Sequence, residues 1–191
     1  AISFNELGSS TSPNFQLELH NHGALPVTLG GMIISTSNPL SDDYLLPTSN
    51  LAPGTFTTID ATTLGFTPDD NERLFLFTPG KLALINTARV DNRLKGRSPD
   101  GTGRWPNPNT ATFGSTNSFT FEDDIVINEI MYHPVSESDD DEFVELFNRG
   151  TNSVSLSGWR FTEGIVFGFP TNALLPPGSY LVVARNAARL M

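Results

Sequence analysis

The same sequence pattern occurs twice in this chain of 191 residues. Residues 2–7 return as residues 125–130, and residues 15–23 return as residues 141–150. The first of these offsets is 125 − 2 = 123 residues, far longer than the roughly 20–50 residues of a solenoid repeat. The repeat therefore predicts two tandem domains that share one fold.

The repeat also sets the expected domain boundaries. We expect a first domain over residues 1–121, a short acidic linker over residues 122–124 and a second domain over residues 125–191. Counterparts of residues 68–121 are missing from the second copy, so we expect that domain to be incomplete at its C-terminal end. A sheet without its last strands has unpaired edges, which can pair with another chain.

Short alternating runs between turn signals indicate an all-β fold. Residues 15–20 alternate apolar and polar side chains, as a strand with one buried face requires. The tripeptide at 78–80, Thr-Pro-Gly, carries the residues of a tight hairpin turn. Gly, Pro, Ser, Thr and Asn are abundant and only 17% of the residues are charged. We therefore expect a β-sandwich in each domain.

The net charge and the missing sequence motifs disfavour several classes of function. The formal net charge of −10 disfavours general attraction to DNA or anionic membranes and favours cation binding. No apolar run approaches the 18 residues or so of a membrane span, and there is no cysteine. Catalytic signatures such as Gly-x-Ser-x-Gly or His-Glu-x-x-His are absent from the sequence. The sequence therefore predicts a protein that is not an enzyme.

The repeated landmarks resemble the lamin-tail domain family. The resemblance rests on the Asn-Glu pairs of the first strands and on the runs at residues 98–105, 143–150, 156–159 and 175–183. It implies tandem immunoglobulin-like β-sandwiches, the second one incomplete. The first copy departs from the pattern, because Met32 stands in place of Trp159 and Ala52-Pro53 replaces the double proline. Bacterial members resemble accessory modules of large extracellular proteins and are not known as catalysts.

Acidic loops are candidate calcium sites. Calcium takes six to eight hard oxygen ligands, often from loop carboxylates. The candidate ligands lie in the loop before residue 143 and at the domain junction: Asp139, Asp140, Asp141, Glu142, Asp123 and Asp124. None of these runs has the spacing of an EF-hand loop. The alternative is a solvated acidic turn that adds solubility.

One basic segment runs against the overall charge. Its candidate anion-binding residues are Arg93, Lys95, Arg97 and Arg104, with Trp105 beside them. Such a segment could bind a nucleic acid through charge and stacking. The alternative is a salt-bridged hairpin, because Asp91 interrupts the basic residues. Both tryptophans of the chain are expected in sandwich cores.

The repeated glutamates are candidates for paired carboxylates. Glu18 and Glu145 are expected on strands next to the Asn-Glu pairs at 5–6 and 128–129. Paired carboxylates could shift each other's pKa values or share a cation. The preferred interpretation places them on the outward face, bonded to backbone or to an arginine.

These observations predict a non-catalytic binding or spacer module of a larger bacterial protein that is secreted or held at the cell surface, with a role such as adhesion. Calcium is the one cofactor considered, as a stiffening ion. Expected partners are other domains of the parent protein, a protein or polysaccharide ligand, and a second copy that pairs with the open edge of the second domain. The alternative is a nucleic-acid-contacting accessory domain of a secreted nuclease-type enzyme.

Overall fold

A computed structural model describes residues 1–37, 42–162 and 164–190 of the chain. The chain divides into two compact units, Ala1–Thr120 and Phe121–Met191, called unit 1 and unit 2 below. The residues predicted as a linker, 122–124, lie at the start of unit 2. No helix in the described part of the chain is long and apolar enough to cross a membrane.

Unit 1 consists of two four-stranded antiparallel sheets and a short two-stranded pair. Its strands are β1 (Ile2–Leu7), β2 (Gln16–Asn21), β3 (Val27–Thr28), β4 (Ile33–Ser35), β5 (Asp43–Leu45), β6 (Asn50–Leu51), β7 (Phe56–Asp60), β8 (Arg73–Phe77), β9 (Leu84–Arg89) and β10 (Lys95–Gly96). The strand orders are β10-β1-β2-β7, β5-β4-β8-β9 and β3-β6. Helix α1 (Ala61–Leu64) follows β7, and a 3₁₀ turn at Pro79–Lys81 joins β8 to β9 where the hairpin was predicted.

The core of unit 1 lies between its two larger sheets. Phe4, Leu17 and Leu19 come from the first sheet and are fully buried. Ile34 and Leu76 come from the second sheet and belong to the same apolar cluster. Trp105 packs against that cluster, as predicted. Unit 1 is therefore a β-sandwich, and burial of these side chains is the main term that stabilises it.

Unit 2 is built on a three-stranded antiparallel sheet with two short strand pairs. Its strands are β11 (Ile125–Met131), β12 (Phe143–Asn148), β13 (Val154–Ser155), β14 (Arg160–Phe161), β15 (Phe167–Gly168), β16 (Leu174–Leu175) and β17 (Tyr180–Ala184). The strand orders are β11-β12-β17, β13-β16 and β14-β15. Two 3₁₀ turns lie at Asp139–Asp141 and Ala187–Arg189. Trp159 packs against the apolar cluster of this unit, as predicted.

The two units repeat each other down to single hydrogen bonds. Asn21 ends β2, donates through Nδ2 to the carbonyls of Leu25 and Leu51, and accepts from the Gly23 N–H. Asn148 ends β12 and makes the corresponding bonds, donating to the carbonyls of residues 152 and 175 and accepting from the N–H of residue 150. Each asparagine thus satisfies buried backbone groups where the chain turns between strands. The sequence repeat therefore reflects a repeated structure.

The units differ in what covers the first strand. In unit 1, β1 pairs with β10 on one side and with β2 on the other, and it packs against β9. In unit 2, β11 pairs with β12, and the described residues contain no counterparts of β8, β9 or β10. The first strand of unit 2 is therefore exposed where that of unit 1 is buried.

Candidate functional site

A cluster of carboxylates lies buried on the first strand pair of unit 1. The register of β1 against β2 shifts between Phe4 and Glu6, so Glu6 lies opposite Glu18 and Asn5 lies in the bulge. The Asn5 Nδ2 donates to Glu18 Oε1 at 2.9 Å and to Asp100 Oδ1 at 3.1 Å. Asn5, Glu6 and Glu18 have no exposed side-chain surface. We call Asn5, Glu6, Glu18 and Asp100 the carboxylate cluster.

Residues 97–117, called the closing segment below, donate backbone N–H groups to this cluster. The N–H of Thr112 donates to Glu6 Oε1 at 2.8 Å, and that of Gly101 donates to Asn5 Oδ1 at 2.7 Å. The Gly114 N–H donates to Glu18 Oε2. Hydrogen bonds to an ionised acceptor are about twice as strong as neutral ones. The carboxylate cluster therefore holds the closing segment on β1 and β2.

Burial changes the proton affinity of these carboxyls. Burial raises the pKa of Glu18 from its ordinary 4.5 to about 7, while the hydrogen bonds from Asn5 and Gly114 oppose the rise. Burial also raises the pKa of Glu6, and the negative charge of Asp100 adds to that effect. The predicted outward orientation of these glutamates is therefore wrong for unit 1. A buried carboxyl that accepts two donors takes part in folding, and its charge responds to pH near neutrality.

The basic residues predicted as an anion site mostly bond within unit 1. Arg97 donates through Nε to the Phe4 carbonyl and through Nη1 to the Gly103 carbonyl, both at 2.8 Å. Its guanidinium lies 4.6 Å from the centre of the Trp105 ring. Arg97 therefore supports the closing segment.

Two more of these residues share one acidic partner. Lys95 Nζ lies 2.8 Å from Asp91 Oδ2, and Arg93 lies 3.7 Å from the same oxygen. Burial alone would raise the pKa of Asp91, but Lys95 and Arg93 lower it below its ordinary value. Arg104 is exposed. The segment thus resembles the salt-bridged alternative more than a continuous basic surface.

Unit 2 repeats the polar arrangement on an exposed face. The register of β11 against β12 shifts between Ile127 and Glu129, and Glu129 lies opposite Glu145. Asn128 Nδ2 donates to Glu145 Oε1 at 2.7 Å. Asn128 and Glu129 are exposed, whereas their counterparts in unit 1 are fully buried. Within the described residues, unit 2 therefore repeats the polar arrangement of the cluster on an exposed strand pair.

An apolar groove lies along the same strand of unit 2. Its volume is about 730 Å³, and its lining includes Ile127, Ile130, Phe161, Val166 and Val183. The side chains of Ile127 and Ile130 are 53% and 56% exposed. We call this groove, together with Asn128, Glu129 and Glu145, the open face of unit 2. Exposed apolar patches next to polar groups are typical of interaction surfaces.

The predicted calcium ligands of the acidic loop bond to arginines. Asp139 Oδ2 lies 2.9 Å from Arg185 Nη1, and Glu142 Oε2 lies 3.6 Å from the same atom. Asp141 Oδ1 lies 2.6 Å from Arg189 Nε, and the hydrogen bonds from Arg189 and Ser136 lower the pKa of Asp141. Asp140 lies between them in the 3₁₀ turn. The loop thus contacts the end of the chain after β17.

Asp123 and Asp124, the two aspartates predicted at the domain junction, accept hydrogen bonds through their backbone carbonyls. The carbonyl of Asp123 accepts from Arg149 Nε at 3.0 Å, and that of Asp124 accepts from the Arg149 N–H at 2.8 Å. Among the described residues, no group of three or more His, Cys, Asp or Glu side chains could hold a metal ion. The structure therefore does not bring the six predicted ligands together, and calcium binding stays a prediction.

Sequence reasoning missed most of the closing segment. Asp100 belongs to the turn on which the family resemblance rested, but its bond to Asn5 was not foreseen. Thr112 and Asn117 were not predicted as site residues. Asn117 in fact donates through Nδ2 to the carbonyls of Asn5 and Arg97. No local sequence signal marks these bonds, because the two carbonyls lie 112 and 20 residues away along the chain.

The fold and this site define the class of each unit as an all-β, immunoglobulin-like module. Residues 120–190 match the model of the lamin tail domain family, which confirms the predicted resemblance for unit 2. The match covers less than half of the chain. Neither a curated protein nor a solved structure matches the chain. Members of the matched family are non-catalytic β-sandwich modules.

Proposed function

We propose that this chain is a non-catalytic binding and spacer region of a larger secreted or cell-surface bacterial protein, built from two lamin-tail-like modules in series. The observation that carries the proposal is the repeated architecture of the two units, of which one matches the lamin tail domain family. Equivalent strand pairs carry the bulge at the same place and the same asparagine cap. Modules in series commonly separate or position neighbouring domains.

The bonding of the carboxylates supports a structural role in unit 1. A general acid or base must reach the reacting atoms of a substrate. Glu6 and Glu18 are instead fully buried and accept hydrogen bonds from the closing segment. Their raised pKa values follow from that burial. These perturbed groups thus stabilise a loop, which fits a module that binds and does not catalyse.

The open face supports the binding part of the proposal. Unit 2 exposes apolar side chains of β11 next to a fixed array of polar acceptors. The acidic net charge of the chain, −10, keeps such a surface soluble and disfavours general binding to anionic polymers. A specific protein partner suits this combination better than a nucleic acid does.

Calcium would enter this function as a stiffening ion. A cation at the acidic loop would have to replace the arginine partners of Asp139 and Asp141. That exchange loses two solvent-exposed ion pairs, which contribute little to stability. The calcium form of the proposal therefore requires a measurable calcium dependence of the stability of unit 2.

The location can be tested on cells of the source organism. Antibodies raised against the purified chain are applied to intact cells and to the culture medium, with a cytosolic protein as the control for lysis. The proposal expects label on intact cells or protein in the medium while the control stays inside. Label that appears only after lysis, together with the cytosolic control, would refute the extracellular role.

A further inference from the structure

We infer that one sheet face of unit 1 is a docking surface for an extended acidic segment of a separate protein. The sheet has the strand order β5-β4-β8-β9, and the face in question is turned away from the core of unit 1. We call it the outer sheet face below. The inference rests on the proposed binding function and names the chemistry of the partner.

An apolar row crosses all four strands on the outer sheet face. The strand registers place its members side by side, in the order Leu45, Ile33, Phe77 and Leu84. The adjacent residues Ile34 and Leu76 are fully buried in the core, and strand side chains alternate between the two faces. Leu45 and Leu84 are therefore directed away from the core, and they are 63% and 52% exposed. The solvent face of an antiparallel sheet is ordinarily polar, so this row indicates an interaction surface.

Phe75 extends the apolar surface along β8. It lies two positions before Phe77 and therefore on the same face, and the two rings stack with their centres 6.0 Å apart. An ion pair of 2.7 Å between Lys81 and Asp43 lies beside them, with Lys81 Nζ 5.9 Å from the centre of the Phe77 ring. The apolar surface thus has charged groups at its rim, as interfaces between proteins do.

Two arginines lie at the other end of β8 and β9, on the same face. Arg73 is directly opposite Arg89, and both residues are exposed. Like charges in this position repel and lower the stability of a sheet. Among the described residues, neither arginine forms an ion pair, and Arg89 donates to the uncharged side chain of Asn71. The positive charge of this arginine pair is therefore uncompensated.

The basic residues nearby differ from the arginine pair in this respect. Lys81 contacts Asp43, and both Lys95 and Arg93 contact Asp91. The packing of unit 1 thus does not explain why two arginines face each other, whereas an anionic ligand would relieve their repulsion. A carboxylate suits a guanidinium because it accepts two parallel hydrogen bonds from it.

The distance between the two parts of the face selects a polypeptide. Arg73 lies four positions before Phe77 on β8, which is about 13 Å at the rise of a strand. An extended segment along β8 directs every second side chain to the sheet, so it can place apolar side chains on the phenylalanines and a carboxylate at Arg73. Leucine and isoleucine side chains do not stack on bases as aromatic rings do. The apolar row therefore fits apolar side chains of a protein better than it fits a nucleic acid.

Charge favours a separate protein over a second copy of this chain. Each copy has a net charge of −10, so two copies repel each other. The acidic run at residues 139–142 also has partners already, since it contacts Arg185 and Arg189 of unit 2. The occupant that we infer is thus an acidic segment of another protein.

The experiment uses the full chain and two synthetic peptides with blocked ends. One has the sequence Leu-Thr-Leu-Thr-Glu, and in the other the glutamate is replaced by glutamine. Titration of the isotope-labelled chain is followed by the NMR shifts of its backbone amides. We expect shift changes on β4, β8 and β9, and a dissociation constant about three- to fivefold lower for the glutamate peptide, which is the range of an exposed ion pair.

Two variants test the two parts of the face. Arg73→Gln combined with Arg89→Gln should bind both peptides equally, because the preference for glutamate depends on the arginine pair. This variant removes a like-charge repulsion, so unit 1 should still fold. Leu84→Ser should weaken binding of both peptides about threefold to tenfold by loss of apolar contact. The matched controls are Arg160→Gln, at an exposed arginine of unit 2, and Leu25→Ser, at a leucine that is 75% exposed outside the sheet.

Several outcomes would overturn the inference. These are no shift changes with the glutamate peptide, changes outside the outer sheet face, an unaltered glutamate preference in the double variant, or equal weakening by the controls. Tighter binding of single-stranded oligothymidine at the same residues would make a nucleic acid the occupant. Self-association of the chain through β8 and β9 would make it a second copy, and both results overturn the inference. None of these results affects the location test, so the inference and the proposed function can fail separately.

Discussion

Glu18 should make the stability of unit 1 fall as the pH rises. Its pKa in the folded state is about 7, above the ordinary 4.5, so the folded state binds more protons between these values. Its stabilising effect is therefore complete below pH 4.5 and is lost as the pH rises through about 7. At about 1.4 kcal/mol for each pH unit, the difference between 7 and 4.5 corresponds to about 3 kcal/mol.

The upward shift of the Glu18 pKa is the net result of two opposing physical effects. Burial disfavours the ionised carboxylate, whereas the donors Asn5 and Gly114 favour it. The side chain of Glu18 has no exposed surface, so solvent screens its charge little. If burial dominates, the ionised form is the less stable one in the folded protein.

The substitution Glu18→Gln isolates this group. Glutamine cannot ionise, so the difference in unfolding free energy between variant and wild type contains the titration of Glu18 together with its electrostatic coupling to Glu6 and Asp100. Glutamine also directs an NH₂ group at one of the two donors, which adds a constant cost of about 1–3 kcal/mol. The pH dependence of the difference is therefore the informative quantity.

Urea unfolding from pH 5 to pH 8 measures this pH dependence. The range lies above the isoelectric point of about 4.5, where the chain has its lowest net charge. A Trp159→Phe background leaves Trp105 as the fluorescent reporter of unit 1. We expect the difference to shift by about 2–3 kcal/mol in favour of the variant over this range. Glu137→Gln, which removes an exposed carboxylate of unit 2, is the matched control. A constant difference, or a shift of opposite sign, would mean that the hydrogen bonds outweigh burial.

Three further predictions concern the caps, the acidic loop and the basic segment. Asn148→Ala should lower the unfolding free energy of unit 2 by about 2–5 kcal/mol because it leaves buried backbone groups unsatisfied, and Asn21→Ala should do the same in unit 1. Urea unfolding measures both changes. A loss below about 1 kcal/mol would contradict the proposed role of these asparagines as caps. The predicted calcium site requires a higher melting midpoint in calcium than in chelator, by about ten degrees at saturation, and equal midpoints would contradict it. Duplex DNA should not be retained at low salt, because three of the four candidate basic residues bond within unit 1; salt-dependent binding that Arg93→Glu abolishes would contradict this expectation.

The strand pairs could be predicted because their signals are local. Alternation over residues 15–20 indicates a strand, and β2 forms there, although both of its faces are buried. The matching run in the second copy forms β12, whose residues alternate between buried and half-buried. The Asn-x-Gly endings at residues 21–23 and 148–150 indicate turns, and the asparagines cap those turns in both units. A repeat of local signals predicts a repeat of local structure.

The partners of charged residues could not be predicted in the same way. The acidic loop was interpreted from its own composition, yet its hydrogen-bonded arginines lie 46 and 48 residues further along the chain. Glu6 meets Thr112 across 106 residues. Periodicity describes one strand at a time, so it contains no information on which distant loop covers that strand.

The two glutamate pairs show this limit most directly. Glu6 and Glu18 occupy the same strand positions, the same bulge and the same register as Glu129 and Glu145. One pair has buried side chains, and in the other pair Glu129 is exposed and Glu145 is half-buried. Because the local sequence and geometry are shared, the difference comes from what covers the first strand, which in unit 1 includes β9, β10 and the closing segment. Burial of these carboxylates is thus a property of what covers the strand.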